Sequence, residues 1–457
     1  MARDPRFDGC FFTAVKTTRI YCRPICPAPS PKEQNVVYYP SAAAAAEAGY
    51  RPCLRCRPEA SPGTPGWLGT AVTVSRALRL MSESTLDNSG VEKLAERLGV
   101  GSRHLRRLFL EHLGAPPVAV AQTRRLHFAK KLIDETSLPF TEVAMASGFG
   151  SIRRFNFAFQ QLYGRTPTEL RRLAGKRAVN TDGAYHFRLP FRPPYDWDAI
   201  SSFLADRSIP CVESVTRNSY RRTINVNRAT GQIEVRLGSG ALDVRVEFPD
   251  ARALFLIVER IRRLFDLSAD PTRIEAHLAQ DSLLAPKLAR HPGLRLPGAW
   301  LPFELAVRAV LGQQISVKGA STIADRIAAR YGNDGLFPSA EILATADVEA
   351  CGVVRSRAAT IRALAGSGLE WEHVGNSDMF LETLLALPGV GSWTAQYIAM
   401  RAFGEPDAFP AGDLVLQRAA GCRNARELEE RAEAWRPWRA YAAIHLWQGV
   451  KDEAGLH

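Results

Sequence analysis

Residues 387–404 read LPGVGSWTAQYIAMRAFG, and their first five, Leu387-Pro388-Gly389-Val390-Gly391, form a Gly/Pro turn between two apolar segments of helical spacing. That pattern predicts a helix-hairpin-helix. Such a turn exposes backbone N–H groups, and the start of the next helix adds positive potential. Gly389, Gly391 and Thr394 are therefore candidate contacts to a DNA phosphate. Asp413 follows Gly391 by 22 positions, within DAFPAGDLVLQR. A carboxylate there can cap the next helix or act beside the hairpin, and the residues leave both readings open.

Upstream of this stretch, residues Tyr185 to Phe248 alternate in short runs, notably Arg221–Asn227, Gln232–Leu237 and Leu242–Phe248, separated by TGQ and GSGA. These predict strands of an antiparallel sheet. After Asp250 the chain reads as helical to its end, broken by Gly/Pro joints such as LRLPGAW at 294–300. Residues 67–175 also read as helices. Val91–Leu98 and Ser102–Leu113 flank a Gly-bearing turn, and Thr141–Ser147 and Ser151–Leu162 repeat the arrangement around Gly148-Phe149-Gly150. This is a tandem helix-turn-helix pattern, with Ser102 and Ser151 expected to cap the second helix of each pair. SPGTPG at 61–66 and residues 176–182 read as linkers.

The chain has 457 residues, 46% of them hydrophobic and 23% charged, which fits an ordinary globular protein of two to four domains. It contains no run of 18 uncharged apolar residues, and MARDPRFDGCFF puts charge where a signal peptide needs an apolar core. A cytoplasmic protein with no membrane partner is expected. The net charge of +12 lies wholly in residues 1–176, which carry 26 Lys/Arg against 14 Asp/Glu, while the remainder has 33 of each. A basic third joined to a neutral remainder suggests a polyanion-binding module fused to something else.

Five of the eight cysteines fall in the first 56 residues. Cys22-x3-Cys26 and Cys53-x2-Cys56 supply four thiolates in two close pairs, the ligand set of one zinc ion. The metal could simply staple a unit of about 60 residues that is too small for a good core. Cys211, Cys351 and Cys422 stand singly and read as small core residues, and Cys10 as a bystander. The fold class expected is multidomain α+β. It comprises a small zinc domain at 1–60, an all-α tandem helix-turn-helix domain at 67–175, an antiparallel sheet domain at 183–295 and a helical helix-hairpin-helix domain at 296–457.

Three resemblances attach functions to these domains. FFTAVKTTRIYCRPICP and NVVYYPSAAAAAEAGYRPCLRCRPE resemble the N-terminal domain of the Ada family of alkylation-repair proteins. The resemblance implies that Cys22 ligates zinc with Cys26, Cys53 and Cys56 and also accepts a methyl group from a DNA methylphosphotriester. Pro27-Ala28-Pro29 departs from the family, which often carries basic residues there; Arg51 and Arg23 are the cations left for phosphate. GFGSIRRFNFAFQQLYGRTPTELRR resembles the AraC family of DNA-binding domains. Its recognition helices would present Arg103, His104, Arg106 and Arg107 in one copy and Arg153, Arg154 and Asn156 in the other, to promoter DNA.

PPYDWDAISSFL, RLFDLSADP, RLPGAW, VRAVLGQQIS, LPGVGSWTAQYIAMRAFG and WRPWRAYAAIHLWQ resemble, in that order, the AlkA-type 3-methyladenine DNA glycosylases. The resemblance implies a catalytic Asp413 and an aromatic base pocket of Phe203, Trp393, Tyr397 and Trp447. Electron-rich rings suit a cationic alkylated base flipped from the duplex. Relatives with strand-cleaving lyase chemistry use a lysine where this chain has Trp393, so a monofunctional enzyme is expected. Gln314 stands where the family often places an apolar wedge. Together these resemblances imply a DNA-alkylation repair protein that is also a regulator, with double-stranded DNA and RNA polymerase as partners. The alternative is an alkylation-responsive activator whose glycosylase half is degenerate.

Overall fold

The computed structural model describes residues 3–62, 72–83, 90–173, 183–371 and 377–455. The expected linker at 176–182 lies outside them, as does the 61–66 linker beyond Pro62.

The N-terminal unit is a four-stranded sheet in the order β3-β1-β2-β4, formed by β1 (Phe12–Val15), β2 (Ile20–Cys22), β3 (Val36–Tyr39) and β4 (Arg51–Pro52). Helix α1 (Ala42–Glu47), capped by Ser41, packs on it. Its own apolar cluster is only Phe12, Ala14, Tyr21, Ala45 and Tyr50. So small a core needs outside support, and two helices of the next region, Ser102–Leu113 and Pro117–Glu135, provide some of it. Tyr21 OH and His127 Nε2 are hydrogen-bonded at 3.0 Å, Ser41 Oγ donates to Leu113 O at 2.6 Å, and Arg57 pairs with Asp134 at 2.7 Å.

Helices α2 (Val72–Glu83), α3 (Gly90–Arg97), α4 (Ser102–Leu113), α5 (Pro117–Glu135), α6 (Phe140–Ala146), α7 (Ile152–Tyr163) and α8 (Pro167–Leu173) make the second region. The two turns rest on Gly99 and Gly148, both at positive φ, and α4 and α7 end on left-handed Gly114 and Gly164. Ser151 caps α7 as expected, accepting from Arg154 N at 3.3 Å. Ser102 does not cap α4: it is the first helical residue, and Gly101 occupies the N-cap with no side-chain bond. The second copy has one more residue between its turn glycine and its helix, and that residue makes room for the serine cap.

A five-stranded antiparallel sheet follows in the order β5-β9-β8-β7-β6, from β5 (Tyr185–Pro190), β6 (Glu213–Val215), β7 (Ser219–Val226), β8 (Ala229–Gly238) and β9 (Ala241–Glu247), with α9 (Trp197–Asp206) crossing from β5 to β6. The GSGA turn falls as expected. TGQ does not turn: it lies inside β8, and the hairpin is made by Asn227 and Arg228, both at positive φ. Gly231 is a strand glycine because a Cβ there would come within 2.2 Å of Glu247 O. One continuous apolar cluster runs from α5, α6 and α7 into this sheet and α10 (Leu254–Leu264).

The remaining helices are α11 (Pro271–Leu278), α12 (Ala285–Arg290), α13 (Pro302–Leu311), α14 (Val317–Tyr331), α15 (Ala340–Leu343), α16 (Arg355–Gly366), α17 (Ser377–Leu385), α18 (Ser392–Phe403), α19 (Leu414–Ala419), α20 (Ala425–Ala432) and α21 (Arg439–Glu453). Helix α13 packs between α16 and α18. His291 ties α9 to α21, its ring nitrogens 2.9 Å from Asp196 and from Asp452. Lys451 of α21 reaches Asp206 of α9 at 2.7 Å. Among the described residues no helix is long and apolar enough to cross a membrane.

The scattered cysteines divide. Cys351 is buried as expected, Cys422 is half-buried, and Cys211 is exposed, contrary to the core reading. Cys211 sits in the short α9–β6 turn, where its backbone N–H donates to Asp325 Oδ1 at 3.1 Å. Its thiol donates to Asp325 O at 3.8 Å, so backbone and side chain both tie this turn to α14.

Candidate functional site

The four cysteines meet. Their sulfur atoms all lie within 4.8 Å of one another, with Cys22 and Cys26 from one side of the sheet and Cys53 and Cys56 from the segment after β4. Hydrogen bonds from the neighbouring thiols of Cys22 and Cys56 pull Cys53 down to about 2, while the same contacts push Cys22 and Cys56 up. Four thiolates in a ring this tight repel one another. A divalent cation at its centre lets all four ionise, so the donor set fits zinc. Cys22 and Cys26 are half-buried and Cys53 and Cys56 are buried, so the first pair lies nearer the surface.

Arg51, two positions before Cys53, has its guanidinium against Gly164 at the end of α7 and is exposed. Arg23 is not: it is 9% exposed, ion-paired with Asp8, and donates to Cys56 O at 3.0 Å. Its guanidinium braces the metal loop instead of facing solvent. Cys10 lies outside the cluster, its sulfur 3.6 Å from Asp270, and burial raises it to about 11.

In the C-terminal half the predicted hairpin forms. Gly389 sits at φ +80 with Thr360 Oγ1 only 2.0 Å from where a Cβ would be, so no other residue fits. Gly391 caps α18 in an extended conformation with open space beside it. The first intrahelical bond is Ala395 N to Gly391 O, which leaves the N–H groups of Ser392, Trp393 and Thr394 directed outward. The Thr394 side chain is turned inward, 2% exposed, and accepts from Gln313 Nε2 at 2.9 Å. Only its backbone can therefore meet a phosphate. Gln313 also donates to Gly389 O at 3.1 Å and so ties the α13–α14 loop to the hairpin. At the tip of that loop Gln314 is exposed at φ +56, left-handed and held out from the surface.

Asp413 caps α19, and it does more. Its Oδ1 accepts from Val415 N at 2.9 Å, Leu416 N at 3.0 Å and Trp447 Nε1 at 3.3 Å, and its Oδ2 accepts from Trp393 Nε1 at 3.0 Å. The cap thus fixes one oxygen, and the other, with a single donor, keeps a lone pair beside the rings. Trp393 and Tyr397 are stacked at 5.2 Å and 10°, and Trp447 meets Tyr397 edge-on at 6.1 Å. Phe203 of α9 joins them through Arg401, whose guanidinium carbon lies 4.7 Å from the Phe203 ring centroid and 5.6 Å from that of Tyr397.

Sequence reasoning missed the arginines of this pocket. Arg401 is 4% exposed and donates to Tyr397 OH at 2.7 Å, and Arg207 lies 3.7 Å over Phe203. Burial, the largest influence on Tyr397, raises its phenol, but the charges of Arg401, Arg207 and Arg308 outweigh it and the net shift is downward. Burial lowers Arg401 to about 10. The available signal was an arginine four residues after Tyr397 on an otherwise apolar helix face.

The helix-turn-helix candidates Arg103, His104, Arg106 and Arg107 on α4 and Arg153, Arg154 and Asn156 on α7 are all exposed. Arg106 pairs with Glu92 at 2.9 Å and Arg107 lies 3.1 Å from His104 Nδ1.

Four family descriptions match the chain. Residues 1–59 match the metal binding domain of Ada, 94–173 a helix-turn-helix domain, 186–301 the AlkA N-terminal domain, and 307–439 the HhH-GPD superfamily of base excision DNA repair proteins. A Mycobacterium tuberculosis protein named as a probable bifunctional transcriptional activator/DNA repair enzyme AlkA is 41% identical over 98% of this chain and 94% of its own length. DNA-3-methyladenine glycosylase 2 of Escherichia coli is 33% identical over 57% of this chain and 96% of that protein. Among solved structures, a 3-methyladenine DNA-glycosylase from Archaeoglobus fulgidus covers 58% of this chain and 98% of its own at a TM-score of 0.52 and 23% identity, a likeness of fold.

Proposed function

The chain belongs to the family of fused Ada-type transcriptional activators and AlkA-type DNA repair enzymes, and from that premise we propose a division of labour within it. The C-terminal half excises alkylated bases of the 3-methyladenine type. The zinc domain takes methyl groups from DNA phosphotriesters, and the helix-turn-helix pair binds promoter DNA. RNA polymerase would be the further partner of such an activator, acting in the cytoplasm on nucleoid DNA.

For excision, the backbone N–H groups after Gly389 and Gly391 hold a phosphate while the alkylated base turns out of the stack. Trp393, Tyr397 and Trp447 receive it, and their π-faces favour the cationic base over its neutral parent. Heterolysis of the N-glycosidic bond gives the electron pair to the base, which leaves neutral, so no general acid is needed. Asp413 Oδ2 stabilises the positive sugar and accepts the proton of the water that attacks it. Position 393 is Trp rather than Lys, so no Schiff base forms and the strand remains intact. Gln314 fills the gap left by the base with a polar side chain. Arg51 contacts the phosphate near the zinc domain.

For methyl transfer, Cys22, Cys26, Cys53 and Cys56 would hold zinc, which would keep the thiols ionised at neutral pH. Cys22 Sγ attacks the methyl carbon of the triester, an S–C bond forms, the O–C bond breaks, and the phosphodiester leaves as an anion. Cys22 is consumed as a thioether and one negative charge is lost, which reduces repulsion from DNA.

The observation that carries the excision reading is the Asp413 carboxylate held between the indole N–H groups of Trp393 and Trp447, beside the stacked Trp393–Tyr397 pair. The test is release of free base from a duplex bearing one alkylated adenine, by wild type and by Asp413→Asn. Release by wild type alone, with strand breaks only after alkali, supports a monofunctional glycosylase. Equal rates for both proteins would overturn the role of Asp413, and no release by either would favour the regulator with a degenerate half.

A further inference from the structure

The two helix-turn-helix units form an internal repeat whose inward faces match and whose outward faces do not. Aligned on Gly114 and Gly164, α4 and α7 bury equivalent positions: Leu105 with Phe155, Leu108 with Ala158, Phe109 with Phe159, Leu113 with Tyr163. The same offset pairs the exposed positions of the opposite face, Arg103 with Arg153, Arg106 with Asn156, Arg107 with Phe157, and Leu110 with Gln160. The buried set follows i, i+3, i+4, i+8 spacing and the exposed set i, i+3, i+4, i+7, each one helical stripe.

On α4 that stripe carries three guanidinium groups. On α7 it carries one, with a carboxamide, a phenyl ring and a second carboxamide following it. Phe157 is 67% exposed between Phe155 and Phe159, both fully buried. The core is complete without it.

The chemistry of the α7 stripe is that of base edges in the major groove. A carboxamide offers one donor and one acceptor, the pattern that adenine presents at N6 and N7, and an apolar side chain packs on the thymine methyl. Guanidinium groups, in contrast, hold phosphates or guanine and fix register. Residues 1–176 carry the whole net charge of +12, so the surface around Phe157 suits a polyanion.

We propose that α7 reads an A·T-rich element, with Asn156 and Gln160 on adenines and Phe157 against a thymine methyl, while α4 clamps the backbone or a guanine one unit away. This rests on the helix-turn-helix pair being a promoter-binding module.

The experiment selects bound sites from a random duplex library, using the zinc-loaded full chain before and after exposure to methylphosphotriester DNA. Enriched sites should contain a T·A-bearing element. Replacing one of its thymines by deoxyuridine, which removes only the methyl, should weaken wild-type binding roughly three- to tenfold and leave Phe157→Ala unaffected. Asn156→Ala and Gln160→Ala should relax selection at neighbouring adenines. Phe157→Ala, a change at an exposed position, should keep the wild-type circular dichroism spectrum and melting temperature, which certifies its fold. Enriched sites that bind equally well with deoxyuridine throughout, or that Phe157→Ala recognises unchanged while failing to activate transcription, would overturn the inference alone and, in the second case, assign Phe157 to a protein partner. Absence of any enriched sequence in both states would overturn the promoter-binding reading together with it.

Discussion

The cysteine cluster and the aromatic residues around Asp413, the two sites we assign to alkylated DNA, are assembled in opposite ways. The cluster draws its four ligands from two short segments on a sheet with a five-residue core. The pocket draws on α9, α18, the N-terminus of α19 and α21, spread over some 240 residues from Phe203 to Trp447 and clamped by packing. The difference teaches that the first site depends on its ion and the second on its fold.

Zinc removal should therefore separate them most sharply. Chelation, or Cys53→Ala, should abolish methyl transfer and disorder the N-terminal unit, since structural zinc contributes roughly 10–16 kcal/mol to such domains. Base release should persist. Far-UV circular dichroism and the two activities measured on one sample check this, and a parallel loss of excision would mean the two halves are not independent.

Asp413→Asn is the mirror experiment. Asparagine keeps the helix cap and the Trp447 contact through its single oxygen but loses the charge and the acceptor for Trp393 Nε1, so excision should fall about 10²- to 10⁴-fold while melting temperature falls only slightly. Methyl acceptance should stay at wild-type level, as measured by label retained on Cys22.

Gly389→Ala probes the frame of the pocket rather than its chemistry. A methyl group 2.0 Å from Thr360 Oγ1 at φ +80 should destabilise the C-terminal half by about 1–3 kcal/mol and weaken DNA binding. Denaturant unfolding read by tryptophan fluorescence would test it, and a neutral result would mean that the hairpin relaxes freely.

The smallest effect comes from the caps. Ser151→Ala should cost about 1 kcal/mol because its hydroxyl accepts from Arg154 N, whereas Ser102→Ala should cost only a few tenths. Equal losses in thermal unfolding would contradict the assignment of Gly101 as the cap.

These regions also differ in how far the sequence discloses them. The cysteine spacing points to a metal by itself, because ligands one turn apart are a local property. The pocket residues are named only through the AlkA resemblance, since nothing in local spacing links Phe203 to Trp447. Arg207 gives no sign in the sequence, and Arg401 only its place on an apolar helix face, because a buried arginine reads as a surface charge until its ring partners are known. Arg23 erred the other way: its pairing with Asp8 needs the loop to close. The TGQ turn was misplaced because a glycine demanded by backbone approach looks the same as a glycine demanded by a turn.

The account's central claim is two separable chemistries in one chain, and one duplex carrying both a methylphosphotriester and an alkylated adenine tests it directly. Intact-protein mass reports methyl gain, and free base is measured in the same tube. Cys22→Ser should release base without gaining mass, and Asp413→Asn should gain one methyl without releasing base. If either single substitution removed both products, the claim would fail.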